Sequence, residues 1–172
     1  MKIDIARQPL VPAFMTLFAL AVAAMCAGIP VSDTSGAVRD ALPLLGGQLA
    51  RFQAAYPVWS KFAAGFMLLF TGMCAGRITI RYNLYTVGTC LPIPLYAIVA
   101  CGIATGGNYL AGFAASMLLA LATKNYCRAF CNGYGFDAIF RASLYLGLMP
   151  LVYAPGLPMP VSYTHLTLPT KA

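Results

Sequence analysis

Residues 82–123 run for 42 positions without a single Asp, Glu, Lys or Arg. No surface of a water-soluble domain is that poor in charge. The run is also too long for one membrane crossing, which takes about 20 apolar residues over about 30 Å of hydrocarbon. It must therefore fold back on itself, and Gly106-Gly107-Asn108 near its middle is a turn signal. The reading is a helical hairpin with arms at 84–103 and 109–123. Pro92 and Pro94 interrupt the first arm. A proline inside a helix removes a backbone hydrogen bond and kinks the rod. In lipid the freed carbonyls must find other partners, so a cavity is expected beside this arm.

The rest of the chain has the same character. Of 172 residues, 60% are hydrophobic and 9% charged, with no Glu at all, and the mean hydropathy is +0.78. Soluble domains carry about 25% charged residues. The apolar content excludes disorder. Three further spans are expected, at 11–29, 58–76 and 142–157. The first starts like a secretory signal, with Lys2 and Arg7 ahead of an apolar run. That run exceeds the roughly 7–15 residues of a signal's apolar region, so an uncleaved helix is expected. In the second, Lys61 reaches back to the interface on its long stem, with Tyr56 and Trp59 as interfacial aromatics. Gly72 and Gly76 form a GxxxG, a close-packing face that can receive another helix or another subunit. Residues 31–57 are more polar and read as an outer loop. Two amphipathic helices, near 35–45 and 48–55, would lie on the bilayer surface.

The formal net charge of +7 does not indicate a nucleic-acid partner. The basic residues are scattered singly between apolar runs, and no basic face with interleaved aromatics is present. Their distribution is topological. Alternate loops hold Lys2, Arg7, Arg77, Arg81, Lys124, Arg128 and Arg141 on one side, against Arg39, Arg51 and Lys61 on the other. The positive-inside rule then puts the N-terminus in the cytoplasm.

Chemistry-bearing residues are few. The six cysteines contain no CxxC pair. Cys127 and Cys131 share one helix face, but two thiols fall short of the four ligands of a structural zinc site, so no metal and no cofactor are expected. Asp33, just beyond the first span, is the candidate catalytic acid. Its place is similar to that of an acid in the first outer loop of membrane glycosyltransferases that use lipid-linked sugars. Asp is equally a preferred helix cap. Arg128, Asp137 and Arg141 form a second candidate, a polar cluster at the membrane edge able to bind an anionic head group. Asp137 and Arg141 also have the i, i+4 spacing of a simple helix pair.

Residues 161–170 break the pattern. They are polar and threonine-rich, and they hold His165, the single histidine. Over ten consecutive positions they resemble one translated frame of a transposon-end adapter used in sequencing libraries. Residues 161–172 are accordingly expected to be a non-native tail on a membrane domain of residues 1–160, with the natural chain continuing past Pro160. Without that tail there is no His, which removes Ser-His-Asp and Cys-His catalysis.

Three stretches carry a family resemblance. They are Arg81-Tyr82-Asn83-Leu84-Tyr85, then Asn132-Gly133-Tyr134-Gly135-Phe136-Asp137-Ala138-Ile139-Phe140-Arg141, and then Tyr145-Leu146-Gly147-Leu148-Met149-Pro150-Leu151-Val152-Tyr153. Together, over 81–157, they resemble a family of uncharacterised polytopic inner-membrane proteins of Bacteroidetes-type bacteria. The resemblance implies a bacterial inner-membrane location and carries no activity.

The expectation is an all-α, polytopic protein of about five spans, with the lipid bilayer as its main partner. Its leading function is a non-enzymatic envelope component that transports or binds a lipidic or small polar substrate. The alternatives are a transferase using Asp33 on a lipid-linked substrate, and an assembly subunit held to other membrane subunits through Gly72 and Gly76.

Overall fold

The computed structural model describes residues 10–26, 44–82, 90–104, 108–131, 135–156 and 158. Among these the chain is entirely helical. The α-helices are α1 Leu10–Cys26, α2 Leu44–Ala55, α3 Pro57–Arg81, α4 Pro92–Ala104, α5 Tyr109–Cys131 and α6 Phe136–Val152, followed by a 3-10 turn at Ala154–Gly156.

Proline fixes several boundaries. Tyr56 N–H still bonds the Phe52 carbonyl at 2.9 Å, but Pro57 has no N–H to continue the ladder. The chain bends at Tyr56 (φ −132°, ψ 72°), and α3 starts with Pro57 in its first turn. At α4 the outcome differs from the kinked arm expected at 84–103. The helix begins at Pro92, with Ile93 N–H bonding the Cys90 carbonyl at 3.0 Å. Both prolines therefore fall in the first turn, where a missing N–H leaves no bond unmade. No carbonyl is freed, and α4 has 13 residues, about 20 Å of rise. Residues 83–89 lie outside the described residues.

The loop before α3 also differs. One helix, α2, runs straight through Gly46 and Gly47 instead of breaking there, and most of the piece expected at 35–45 lies outside the described residues. The last helix starts at Phe136, six residues before the expected 142, and Pro150 sits in its final turns.

Helices α3 and α5 are the central pair. They run parallel, because Ser60 meets Tyr109 at their N-terminal ends while Cys74 and Lys124 line one cavity further along. Helices α1 and α4 cover one side of α3, α6 folds back along α5, and α2 touches α3, α5 and α6. The larger core joins Leu17, Leu68, Ile93, Leu110 and Phe113 across four helices, and the smaller joins Ala122, Tyr126, Ala142 and Leu146 between α5 and α6.

Side chains are sorted by size in an unusual direction. Twelve of the 24 buried hydrophobic residues are alanines. Of the ten phenylalanines, only Phe113 is buried, and eight, including Phe62, Phe66, Phe70, Phe136 and Phe140, are exposed. By length and composition one described helix, α3 with 25 residues, can cross a membrane. Helices α1 and α6 have 17 residues each, and α5 has 23 but carries Lys124 and Arg128 in its last third.

Candidate functional site

Asp33, the candidate acid, lies outside the described residues. The Arg128, Asp137 and Arg141 candidates are all exposed. Arg141 Nε donates to Asp137 Oδ1 at 3.0 Å, one helical turn away. Asp137 also sits in the first turn of α6, where a carboxylate complements the positive end of the helix dipole. This arrangement neutralises a charge locally, and Asp137 serves it fully. Arg128 is on a different helix, one turn past Lys124.

Gly72 and Gly76 face neighbours within the chain. A Cβ on Gly72 would stand 2.7 Å from Leu17 Cδ2 on α1, and one on Gly76 would stand 2.5 Å from Ile93 Cδ1 on α4. This face therefore brings α1 and α4 close to α3 and is covered before any subunit could dock on it.

The two ends of the α3–α5 pair are built differently. At the N-terminal end Ser60 Oγ donates to the Pro57 carbonyl at 2.9 Å. Its only hydrogen is then committed, so the Tyr109 hydroxyl donates to Ser60 Oγ at 2.6 Å. Gln53 of α2 is buried, and its Oε1 accepts from Leu110 N–H at 3.5 Å. That N–H belongs to the first turn of α5 and has no partner within its own helix. Around this closed end Phe52, Tyr56, Trp59 and Phe62 form an exposed aromatic rim.

The opposite end is open. A cavity of about 810 Å³ lies between the C-terminal part of α3, the start of α4 and Lys124 of α5. Phe70, Met73 and Ile80 form its exposed apolar wall, and Arg77, Arg81 and Lys124 supply charge. Arg77 and Arg81 are one turn apart and share a helix face. Lys124, Arg77 and the thiol-bearing Cys74 line the same cavity. Ile93, from the first turn of α4, is fully buried, so the cavity stands beside the proline-bearing segment although no kink creates it.

No group of three His, Cys, Asp or Glu side chains able to hold a metal occurs among the described residues. The half-buried Cys127 thiol is pushed above its ordinary value by burial first and by the neighbouring Cys131 second, which opposes thiolate chemistry at neutral pH. From the sequence Arg77, Arg81 and Lys124 read only as basic residues of one loop side. Their shared loop side was the available signal. Their convergence depends on α3 and α5 lying parallel, which no local spacing encodes. Compared with known protein families, with curated proteins and with solved structures, the chain matches none.

Proposed function

We propose that this chain is a polytopic membrane protein of the bacterial inner membrane, with its N-terminus in the cytoplasm. In this reading it handles a lipidic or small polar molecule at the cavity between α3, α4 and α5. The observation that carries the reading is the reversed sorting of side chains. In water, phenylalanines go inside and small residues gain little by burial. In a bilayer the surroundings are as apolar as leucine, so helices associate through small residues that allow close approach, and large apolar side chains face the lipid. Eight exposed phenylalanines over an alanine-rich interior follow the second rule.

Two further features support it. Less than half of the apolar window of α3 is buried, unlike the core helix of a soluble domain. Helical hydroxyls are satisfied within their own helices, Thr71 donating to the Met67 carbonyl at 2.7 Å and Thr79 to the Ala75 carbonyl at 2.9 Å, as a medium without water requires. The basic residues Arg77, Arg81 and Lys124 gather at one end of the α3–α5 pair and Lys61 lies near the other. That distribution supports the cytoplasmic assignment of the cavity end.

The test is alkaline carbonate extraction of membranes from cells expressing the chain, followed by maleimide labelling of Tyr56→Cys and Gly135→Cys variants in intact cells. The expected result is protein in the pellet, with an impermeant reagent reaching position 56 and not position 135. Protein in the supernatant overturns the membrane assignment, and labelling at 135 alone overturns the orientation.

A further inference from the structure

We propose that the basic cavity is a binding site for the phosphate headgroup of an anionic lipid. Arg77 and Arg81 grip the phosphate from α3, Lys124 approaches it from α5, and the hydrocarbon chain lies along Phe70, Met73 and Ile80. This rests on the membrane reading above and names the ligand class of that site.

Charge comes first. The described residues hold seven basic side chains and one acidic side chain, Asp137. Asp137 is already paired with Arg141. Arg77, Arg81 and Lys124 thus converge on one cavity with no carboxylate among the described residues left to balance them. Such a cluster attracts an anion, and the cavity beside it has room for one.

Geometry selects the anion. Two guanidinium groups one turn apart offer forked donors that match phosphate oxygens two at a time, and an ammonium adds a point charge from a second helix. The cavity volume of about 810 Å³ is that of a small-molecule site. Its lining on α3 runs from Phe70 to Arg81, about 16 Å along the axis at 1.5 Å per residue. About half the hydrocarbon thickness of a bilayer is 15 Å, so one wall reaches from headgroup level deep into one leaflet. A free phosphate would use the basic end and leave the apolar wall empty. An amphiphile uses both, so the occupant is a lipid.

The experiment starts from the carbonate-resistant pellet. The full chain is taken into detergent and incubated with equal amounts of phosphatidylglycerol or phosphatidylcholine. Retained lipid is counted by native mass spectrometry. Each basic side chain near charged headgroups favours the anionic lipid by about fivefold, so three together give a preference on the order of a hundredfold. R77Q/R81Q is expected to lower that preference by about 25-fold on the same arithmetic. R128Q/R141Q removes two basic residues of the same membrane side from outside the cavity and is expected to leave it unchanged. Inorganic phosphate at the lipid's concentration is expected not to displace the bound lipid.

Equal retention of the two lipids by the unaltered chain overturns the proposal, whatever the variants do. So does an equal fall in R77Q/R81Q and R128Q/R141Q, which would mean diffuse surface attraction. Displacement by inorganic phosphate would identify a soluble phosphate site and overturn the lipid assignment. These failures leave the membrane reading standing, because the protein came from the pellet. Protein absent from the pellet overturns both.

Discussion

Replacing Phe66 by arginine separates the two solvents this chain could occupy. Phe66 is 67% exposed on α3, in the outward row Phe62, Phe66, Phe70, with its ring stacked on Phe70 at 6.3 Å between centroids. It lies nine residues past Pro57, about 14 Å along a helix of about 37 Å. An arginine side chain there cannot place its whole charge in water at either end. If water surrounds the helix, Phe66→Arg exchanges one exposed side chain for another and changes stability by no more than about 0.5 kcal/mol. If lipid surrounds it, the arginine costs about 2.5–3.5 kcal/mol and the lost phenylalanine adds about 0.3–0.6 kcal/mol. A total of about 3 kcal/mol is roughly a 150-fold change in an equilibrium constant. Phe136→Arg is the control. Phe136 is even more exposed, at 82%, but it opens α6 next to Asp137 at a helix end, where an arginine reaches the headgroups at little cost. Both variants are titrated with denaturing detergent in lipid bicelles and followed by far-ultraviolet circular dichroism. Phe66→Arg should unfold far earlier than the parent, and Phe136→Arg should track it. Two parent-like curves would refute the idea that the phenylalanine row faces hydrocarbon.

Gly76→Ala and Gly147→Ala gain the same helix propensity, so the difference between them reports packing alone. The new Cβ meets Ile93 at 2.5 Å in one case and nothing within 4 Å in the other. Gly76→Ala should be less stable than Gly147→Ala by about 1–3 kcal/mol in the same titration, and Ile93→Ala should recover part of that loss. Tyr109→Phe removes the donor to Ser60 Oγ and should cost about 0.6–1 kcal/mol, with a double-mutant cycle against Ser60→Ala measuring the pair. Cys127, raised by burial and by Cys131, should be alkylated at a higher pH than an ordinary thiol. Because the unfolded chain loses this proton first, the folded state should lose stability as pH rises past the ordinary thiol value of 9.0. Peptide-level mass spectrometry of alkylation against pH reads the first effect, and the bicelle titration repeated above pH 9.0 reads the second.

The break between α4 and α5 was legible because glycines punctuate an otherwise uniform apolar run, and these helices end and begin at Ala104 and Tyr109. At α5 and α6 the helix bounds differ from the expected spans for one reason. Hydropathy records where hydrocarbon ends, whereas a helix ends where its hydrogen-bond ladder stops. Lys124 and Arg128 lie past the apolar stretch of α5, yet α5 continues to Cys131, and cations there complement its negative end. Asp137 and Arg141 marked a polar link by hydropathy, yet their spacing is that of a helix pair, and α6 contains both. The proline arm misled for a different reason. Pro92 and Pro94 interrupt a helix only if one is already running, and here they begin it. At the site, the charged residues themselves were visible and their convergence was not, since it depends on tertiary neighbours 43 or more positions apart in the chain, as Arg81 and Lys124 are.

The contrast between the two ends of the α3–α5 pair follows from what each end can satisfy internally. At the N-terminal end the buried Leu110 N–H of α5 is met by Gln53, and the hydroxyls of Ser60 and Tyr109 complete each other. No buried side-chain polar atom is left unpaired there among the described residues, and the aromatic rim suits an interface. At the C-terminal end the groups are cations, and a cation cannot complete another cation. Helix dipoles supply part of the balance, because the carbonyl ends of α3 and α5 point the same way. The dipoles cannot fill 810 Å³ of open space, nor give an apolar wall a partner. Among the described residues the one carboxylate, Asp137, is already paired with Arg141, and the proposed lipid would supply a part that is both negative and greasy. The proposed recognition therefore falls at the end where the described side chains leave their charge unbalanced.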